Sequence, residues 1–189
     1  MQKKKKALFF VLYGASGSGK STLLKKIVGI KGVSIHRKDT TRMPRSREDP
    51  EGTFELRFLK KLDKKDYTLV YKQYGDYYGI RRDLIDDAIC KGELHFVIIN
   101  DVKTIKRFKN KIPNTIVVYV HFDPSEIAKR FKKRGVKEFR KRENSIKKQY
   151  LDFIKNSALF DRAIISFDDR GYSERQMINM VNYYKKKNN

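Results

Sequence analysis

The chain has 189 residues, enough for one domain with a sizeable core. Its formal net charge of +23 leaves two readings open, polyanionic partners such as nucleotides or nucleic acid, or a lysine-rich solvated surface. A single cysteine excludes an intrachain disulfide, so a reducing, cytoplasmic setting is expected. The lysine-rich start leads into an apolar run too short for a signal peptide or a membrane span, and no membrane partner is expected.

In chain order, residues 7–13 are unbroken apolar, as a buried parallel strand requires. Gly14, Ala15, Ser16, Gly17, Ser18, Gly19, Lys20, Ser21 and Thr22 then fit the phosphate-binding spacing G-x-x-x-x-G-K-[ST]. A helix is predicted over 21–28, with Leu23, Leu24, Ile27 and Val28 on one face and Gly29 closing it. A strand that delivers a glycine loop onto a helix N-terminus surrounds a polyphosphate with N–H groups, and the helix dipole favours its charge. Lys20 is the candidate for neutralising the outer phosphates of such a ligand, and the Ser21 hydroxyl is a candidate Mg²⁺ ligand.

Residues 32–36 read as a short strand and 37–45 as a polar, proline-broken loop. On that loop Arg42 and Arg45 could form a phosphate clamp, because guanidinium forks bind phosphate bidentately. Residues 48–78 suggest short antiparallel strands, and 74–79 a glycine-bounded turn crowded with tyrosines. A helix is predicted over 82–91, ended by Gly92, with Cys90 in the core. The apolar strand 94–99 runs to Asn100 and Asp101. Asp101 can reach Mg²⁺, cap the following helix, or do both. His36 and His95 have no partner at metal-ligand spacing and read as strand residues.

Residues 115–122 form the third strong strand, and Asp123, Pro124 and Glu126 start a helix that runs to Arg134. A second, very basic helix covers 137–155. In a P-loop kinase such a helical hairpin is a candidate lid, whose arginines stabilise the transferring phosphoryl group and exclude water. A strand over 163–167 and a helix from Ser173 follow, with Met177, Met180, Val181 and Tyr184 facing inward and 185–189 as a frayed tail. Alternating strands and helices around a β-rich insert imply an α/β fold with a parallel sheet.

These residues resemble the guanylate kinase family. The series that carries the resemblance is Thr40-Thr41-Arg42-x-Pro44-Arg45, then Gly75-Asp76-Tyr77-Tyr78-Gly79, then Asn100-Asp101-Val102. It continues with Lys129-Arg130-x-x-x-Arg134-Gly135 and Lys141-Arg142, and so spans nearly the whole chain. The resemblance implies a P-loop NTPase fold with a five-stranded parallel sheet, a core over 1–35, 80–128 and 157–189, an acceptor-binding insert over about 36–79 and a lid over about 129–156. It implies transfer of the γ-phosphoryl of ATP to GMP with Mg²⁺. Lys20 and Ser21 would hold ATP phosphates and Mg²⁺. Arg42, Arg45 and Tyr78 would hold the acceptor phosphate, and Asp101 would stand near acceptor and metal. Arg130, Arg134 and Arg142 would be the lid arginines.

The sequence departs from the family where guanine is read. The acidic residue ten positions before the glycine of the Tyr-Tyr-Gly turn is Leu69 here, the serine before Thr-Thr-Arg gives way to Lys38 and Asp39, and the Ser/Thr after the turn is Ile80. Leucine would leave guanine's N–H donors unpaired, at about 1–3 kcal/mol each. The expectation is therefore a kinase of phosphate monoesters without strict GMP specificity, unless Asp39 or Glu55 supplies a carboxylate. A sugar-phosphate acceptor, as in ribose 1,5-bisphosphate phosphokinase, is the alternative, and a non-catalytic guanylate-kinase-like binding module is a further one. No nucleic-acid motif is present and no such partner is expected. A monomer or homodimer is expected.

Overall fold

The computed structural model describes residues 6–44, 52–123, 139–166 and 170–188. A five-stranded parallel sheet contains β1 (Leu8–Tyr13), β2 (Val33–Ile35), β7 (Leu94–Ile98), β8 (Thr115–Phe122) and β9 (Arg162–Ser166), in the order β2-β7-β1-β8-β9. Strand β1 lies at its centre because both of its faces are apolar. Phe9, Val11 and Tyr13 point into one core, while Phe10 and Leu12 point into the other. The second core is closed by α1 (Lys20–Ile27), through Leu23, Leu24 and Ile27, and by α5 (Arg170–Asn188), through Met177, Val181 and Tyr184. The first is closed by α2 (Arg82–Lys91), α3 (Val102–Lys111) and Phe153 of α4 (Phe139–Lys155).

A second sheet holds β3 (Lys38–Thr40), β4 (Leu56–Phe58), β5 (Tyr67–Gln73) and β6 (Asp76–Arg81), in the order β4-β3-β6-β5. It corrects two expectations. Residues 38–40 are a strand rather than loop, and all three are buried despite being polar. Each is satisfied: Lys38 by the Ile98 carbonyl, Asp39 by Arg57, Thr40 by the Tyr77 carbonyl. Strand β4 runs parallel to β3, whereas the β3–β6 and β5–β6 pairs are antiparallel.

Three smaller expectations also change. Cys90 is exposed, because the buried face of α2 is Ile85 and Ala88. Helix α5 begins at Arg170, before Ser173, which is itself buried. The lysines of the expected tail belong to that helix, and Asn188 Nδ2 donates to the Gly92 carbonyl at 3.3 Å. The helix expected from Asp123 to Arg134 lies largely outside the described residues, as do Arg45, Arg130 and Arg134. Arg142 lies on α4, where its backbone alone is described.

The chain leaves the first sheet after β2 and rejoins it through Arg81 and α2. Both crossings meet at His36, whose N–H donates to the Phe96 carbonyl at 2.7 Å and whose Nε2 accepts from the Arg81 N–H at 3.1 Å.

Candidate phosphoryl-transfer site

The glycine loop sits between the carboxyl end of β1 and the N-terminus of α1. Gly14 must lack a side chain, since a Cβ there would stand 2.4 Å from the Val120 carbonyl oxygen. Gly19 takes a left-handed φ of 92° as the N-cap, with no side chain capping the helix and no acid in its first turn. The first-turn N–H groups are therefore offered to an anion, and nothing acidic competes for them.

Lys20 curls back over this loop. Its Nζ donates to the carbonyls of Gly14 at 2.7 Å and Ala15 at 2.8 Å, and Ser18 Oγ lies at 3.5 Å. Burial pushes the ammonium down to about 7, with Glu55 opposing that shift and Lys38 adding to it. The side chains of Ser21 and Thr22 lie on the exposed side of the first turn.

Asp101 lies past the end of β7, on the same sheet edge as the glycine loop. It caps α3: Oδ2 accepts from the Thr104 N–H at 2.7 Å and from Thr104 Oγ1 at 2.5 Å. Its other carboxylate oxygen takes no part in those bonds. A hydroxyl and a carboxylate oxygen suit Mg²⁺, a hard cation that keeps several waters and takes substrate phosphates as ligands. Among the described residues no cluster of three or more His, Cys, Asp or Glu could hold a metal by itself.

The second sheet meets the same edge through Lys38 and through Gln73, whose Nε2 donates to the Asn100 carbonyl at 3.1 Å. Thr41 and Tyr77 bond reciprocally, N–H to carbonyl and N–H to hydroxyl, both at 3.0 Å. Thr40 Oγ1 donates to the Tyr77 carbonyl and accepts from the Arg42 N–H. The Thr-Thr-Arg segment and the Tyr-Tyr-Gly segment are thus one unit, with the Arg42 guanidinium stacked 5.0 Å from the centre of the Phe58 ring. Tyr78 stacks on Tyr71 at 5.5 Å. Lys38 Nζ lies 5.3 Å from the Tyr78 ring centre and donates to Tyr71 Oη at 3.2 Å and to the Ile98 carbonyl at 2.6 Å. Burial pushes this ammonium down to about 8, again opposed by Glu55.

The expected base-reading positions divide. Leu69 and Ile80 pair across β5 and β6 and are buried in the core. The Asp39 carboxylate is taken by Arg57 and Tyr67. Glu55 carries a buried Oε1 with no hydrogen-bond partner. Sequence reasoning missed Tyr71, although its period-two spacing from Leu69 on β5 would have placed it on the same face.

It also missed that His36 and His95 are partners, 59 positions apart, with Nδ1 of the first 3.0 Å from Nε2 of the second. His36 lies just past β2, not within it. Because its Nε2 accepts a backbone N–H, its proton sits on Nδ1 and is donated to His95. Burial holds both imidazoles neutral, with His95 lowered to about 4 and His36 well below its ordinary value.

A glycine loop of the P-loop spacing, set between the carboxyl end of β1 and the N-terminus of α1, marks the class, a P-loop fold. No family model matches the chain, but a guanylate kinase of Prochlorococcus marinus is 31% identical over 157 residues, 80% of this chain and 82% of that protein. The chain belongs to the guanylate kinase family, and is by class a nucleoside monophosphate kinase. A guanylate kinase of Chlamydia felis is 28% identical over 169 residues, covering 84% of this chain and 80% of that protein. The crystal structure of guanylate kinase from Anaplasma phagocytophilum shares the fold, with a TM-score of 0.67 over 98% of this chain and 88% of that chain at 17% identity.

Proposed function

We propose that the protein transfers the γ-phosphoryl group of ATP to the phosphate of a small monoester, GMP or another nucleoside monophosphate, without strict selection for guanine. One observation carries this reading. The second sheet meets the first at the carboxyl end of β7, the strand beside β1 and its glycine loop, where Lys38 Nζ donates to the Ile98 carbonyl at 2.6 Å and Gln73 Nε2 to the Asn100 carbonyl at 3.1 Å. Two phosphorylated partners can therefore share one cleft between the sheets.

In this reading the glycine-loop N–H groups and Lys20 orient the triphosphate. Arg42 and Tyr78, with Arg45, hold the acceptor phosphate, and Arg130, Arg134 and Arg142 close over the transferring group. Ser21 and Asp101 would hold Mg²⁺, which when bound neutralises charge between the outer phosphates. Positioning and charge neutralisation suffice, so no strong general base is needed.

Acceptor selectivity follows from what surrounds the phosphate. Leu69 and Ile80 offer guanine no acceptor, and Asp39 is already engaged, which leaves Glu55 as the available carboxylate. Lys38 favours a second reading, a phosphorylated sugar, because a buried ammonium suits a further anionic group. The decisive experiment is ADP release with ATP and Mg²⁺ across a panel of nucleoside monophosphates and sugar phosphates. Turnover with at least one monoester, lowered by orders of magnitude in Lys20→Ala, is the expected result. No turnover with any of them would end the kinase reading, and brisk, exclusive use of GMP would end only the claim about selectivity.

A further inference from the structure

We propose that Asp39 is a positioning residue for the acceptor phosphate, acting from the reverse face of the second sheet through Arg57 and Tyr67. The proposal rests on the kinase reading above. Residues alternate along β3, so Lys38 turns to Tyr71 and Tyr78 while Asp39 turns the opposite way.

On that reverse face both carboxylate oxygens accept hydrogen bonds. Arg57 Nε donates to Oδ1 at 2.8 Å, Arg57 Nη2 to Oδ2 at 2.6 Å, and Tyr67 Oη to Oδ2 at 2.8 Å. Asp39 is 1% exposed, so these bonds operate with little competing water. Arg57 is the register partner of Asp39 on β4, and Gly79 is its register partner on β6. Tyr67 starts β5 on the far side of β6, and reaches the carboxylate only because its ring crosses Gly79. A Cβ at Gly79 would stand 2.4 Å from that ring. One carboxylate therefore ties β4, β3 and β5 together across a glycine gap in β6.

What it fixes lies within three residues of Asp39 and two of Gly79. Thr40 is paired with Tyr78, Thr41 is bonded to Tyr77, and the Arg42 N–H is held by Thr40. Arg42 and Tyr78, the acceptor-phosphate groups of the kinase reading, thus take their spacing from a sheet register that Asp39 locks. The same carboxylate gives Gly79 a physical reason beyond turn formation, since the gap is the path by which Tyr67 reaches β3.

The test compares Asp39→Asn, Asp39→Ala and Tyr67→Phe with the wild-type chain by hydrogen exchange and by steady-state kinetics. The acceptor is whichever monoester of the panel the wild type phosphorylates. The expected result is at least 10-fold faster exchange at the amides of Thr41 and Tyr77 in Asp39→Ala, with the amides of β1 and the glycine loop unchanged. Acceptor KM should rise at least 10-fold while kcat and the KM for ATP stay within about twofold. Asp39→Asn should be intermediate, and if the alanine variant does not fold, the asparagine and phenylalanine variants decide. Unchanged exchange at Thr41 and Tyr77, or equal losses in ATP and acceptor use, would overturn the proposal. If the wild type phosphorylates no monoester the kinase reading falls, and the exchange result alone still decides whether Asp39 locks this register.

Discussion

Nucleotide binding should draw a proton from solvent onto Lys20. In the free protein this ammonium is buried and satisfied only by neutral groups, the carbonyls of Gly14 and Ala15 and the Ser18 hydroxyl. Its pKa of about 7 means that roughly a quarter of the molecules carry the proton at pH 7.5. A bound phosphate is the opposite charge at short range and pulls the pKa up. Complete protonation in the complex then takes up about 0.8 proton per nucleotide at pH 7.5, about 0.1 at pH 6 and nearly one at pH 9. The sign follows directly. Binding favours the protonated lysine, so affinity falls as pH rises through 7, by about tenfold from pH 6 to pH 8. Calorimetric titration in buffers of different ionisation enthalpy measures the uptake as a slope, and Lys20→Met, subtracted as a control, removes protons bound by the nucleotide itself. Equal slopes in the two proteins, or net release at pH 7.5, would refute the reasoning.

Acid should weaken the fold through the histidine pair. His95 titrates near 4 when folded and near the ordinary imidazole value when unfolded, so the unfolded chain binds the extra proton. This contribution, about 3 kcal/mol, is whole above pH 6.5 and is lost as pH falls towards 4. Urea unfolding from pH 7.5 to 4 should show that loss, and a His95→Phe variant should show less of it; equal slopes would count against the pair. Gly79→Ala should destabilise by about 1–3 kcal/mol, because its Cβ meets the Tyr67 ring, as a shift in the urea midpoint would show. Arg42→Ala should raise acceptor KM at least tenfold and leave ATP binding within about twofold, by kinetics and by nucleotide titration.

The parallel sheet could be read directly from the chain because its inner strands β1, β7 and β8 are largely apolar on both faces and the glycine loop marks where β1 ends. The second sheet was only half legible. Strand β3 is Lys38, Asp39 and Thr40, a composition typical of loops, and it is a strand because each buried polar group finds a partner far away in sequence. Local pattern carries no record of those partners. The pairing of His36 with His95 is hidden for the same reason, as is the carboxylate of Glu55 near two ammonium groups. Cys90 misled because its apolar neighbours Ile85 and Ala88 set a helical face that the cysteine itself does not share.

The chain passes from one sheet to the other at two points that His36 holds side by side, bonded to Phe96 within the first sheet and to Arg81 at the return. The segment between them is plugged in at that joint and further tied to the first sheet by Lys38 and Gln73, which bond the Ile98 and Asn100 carbonyls. Its side chains can drift, and with them the surroundings of Lys38, while β1 and the glycine loop keep their own bonds within the first sheet. For an engineer the corresponding graft has natural boundaries at Arg37 and Ile80, and the joint to preserve is a pair of neutral imidazoles.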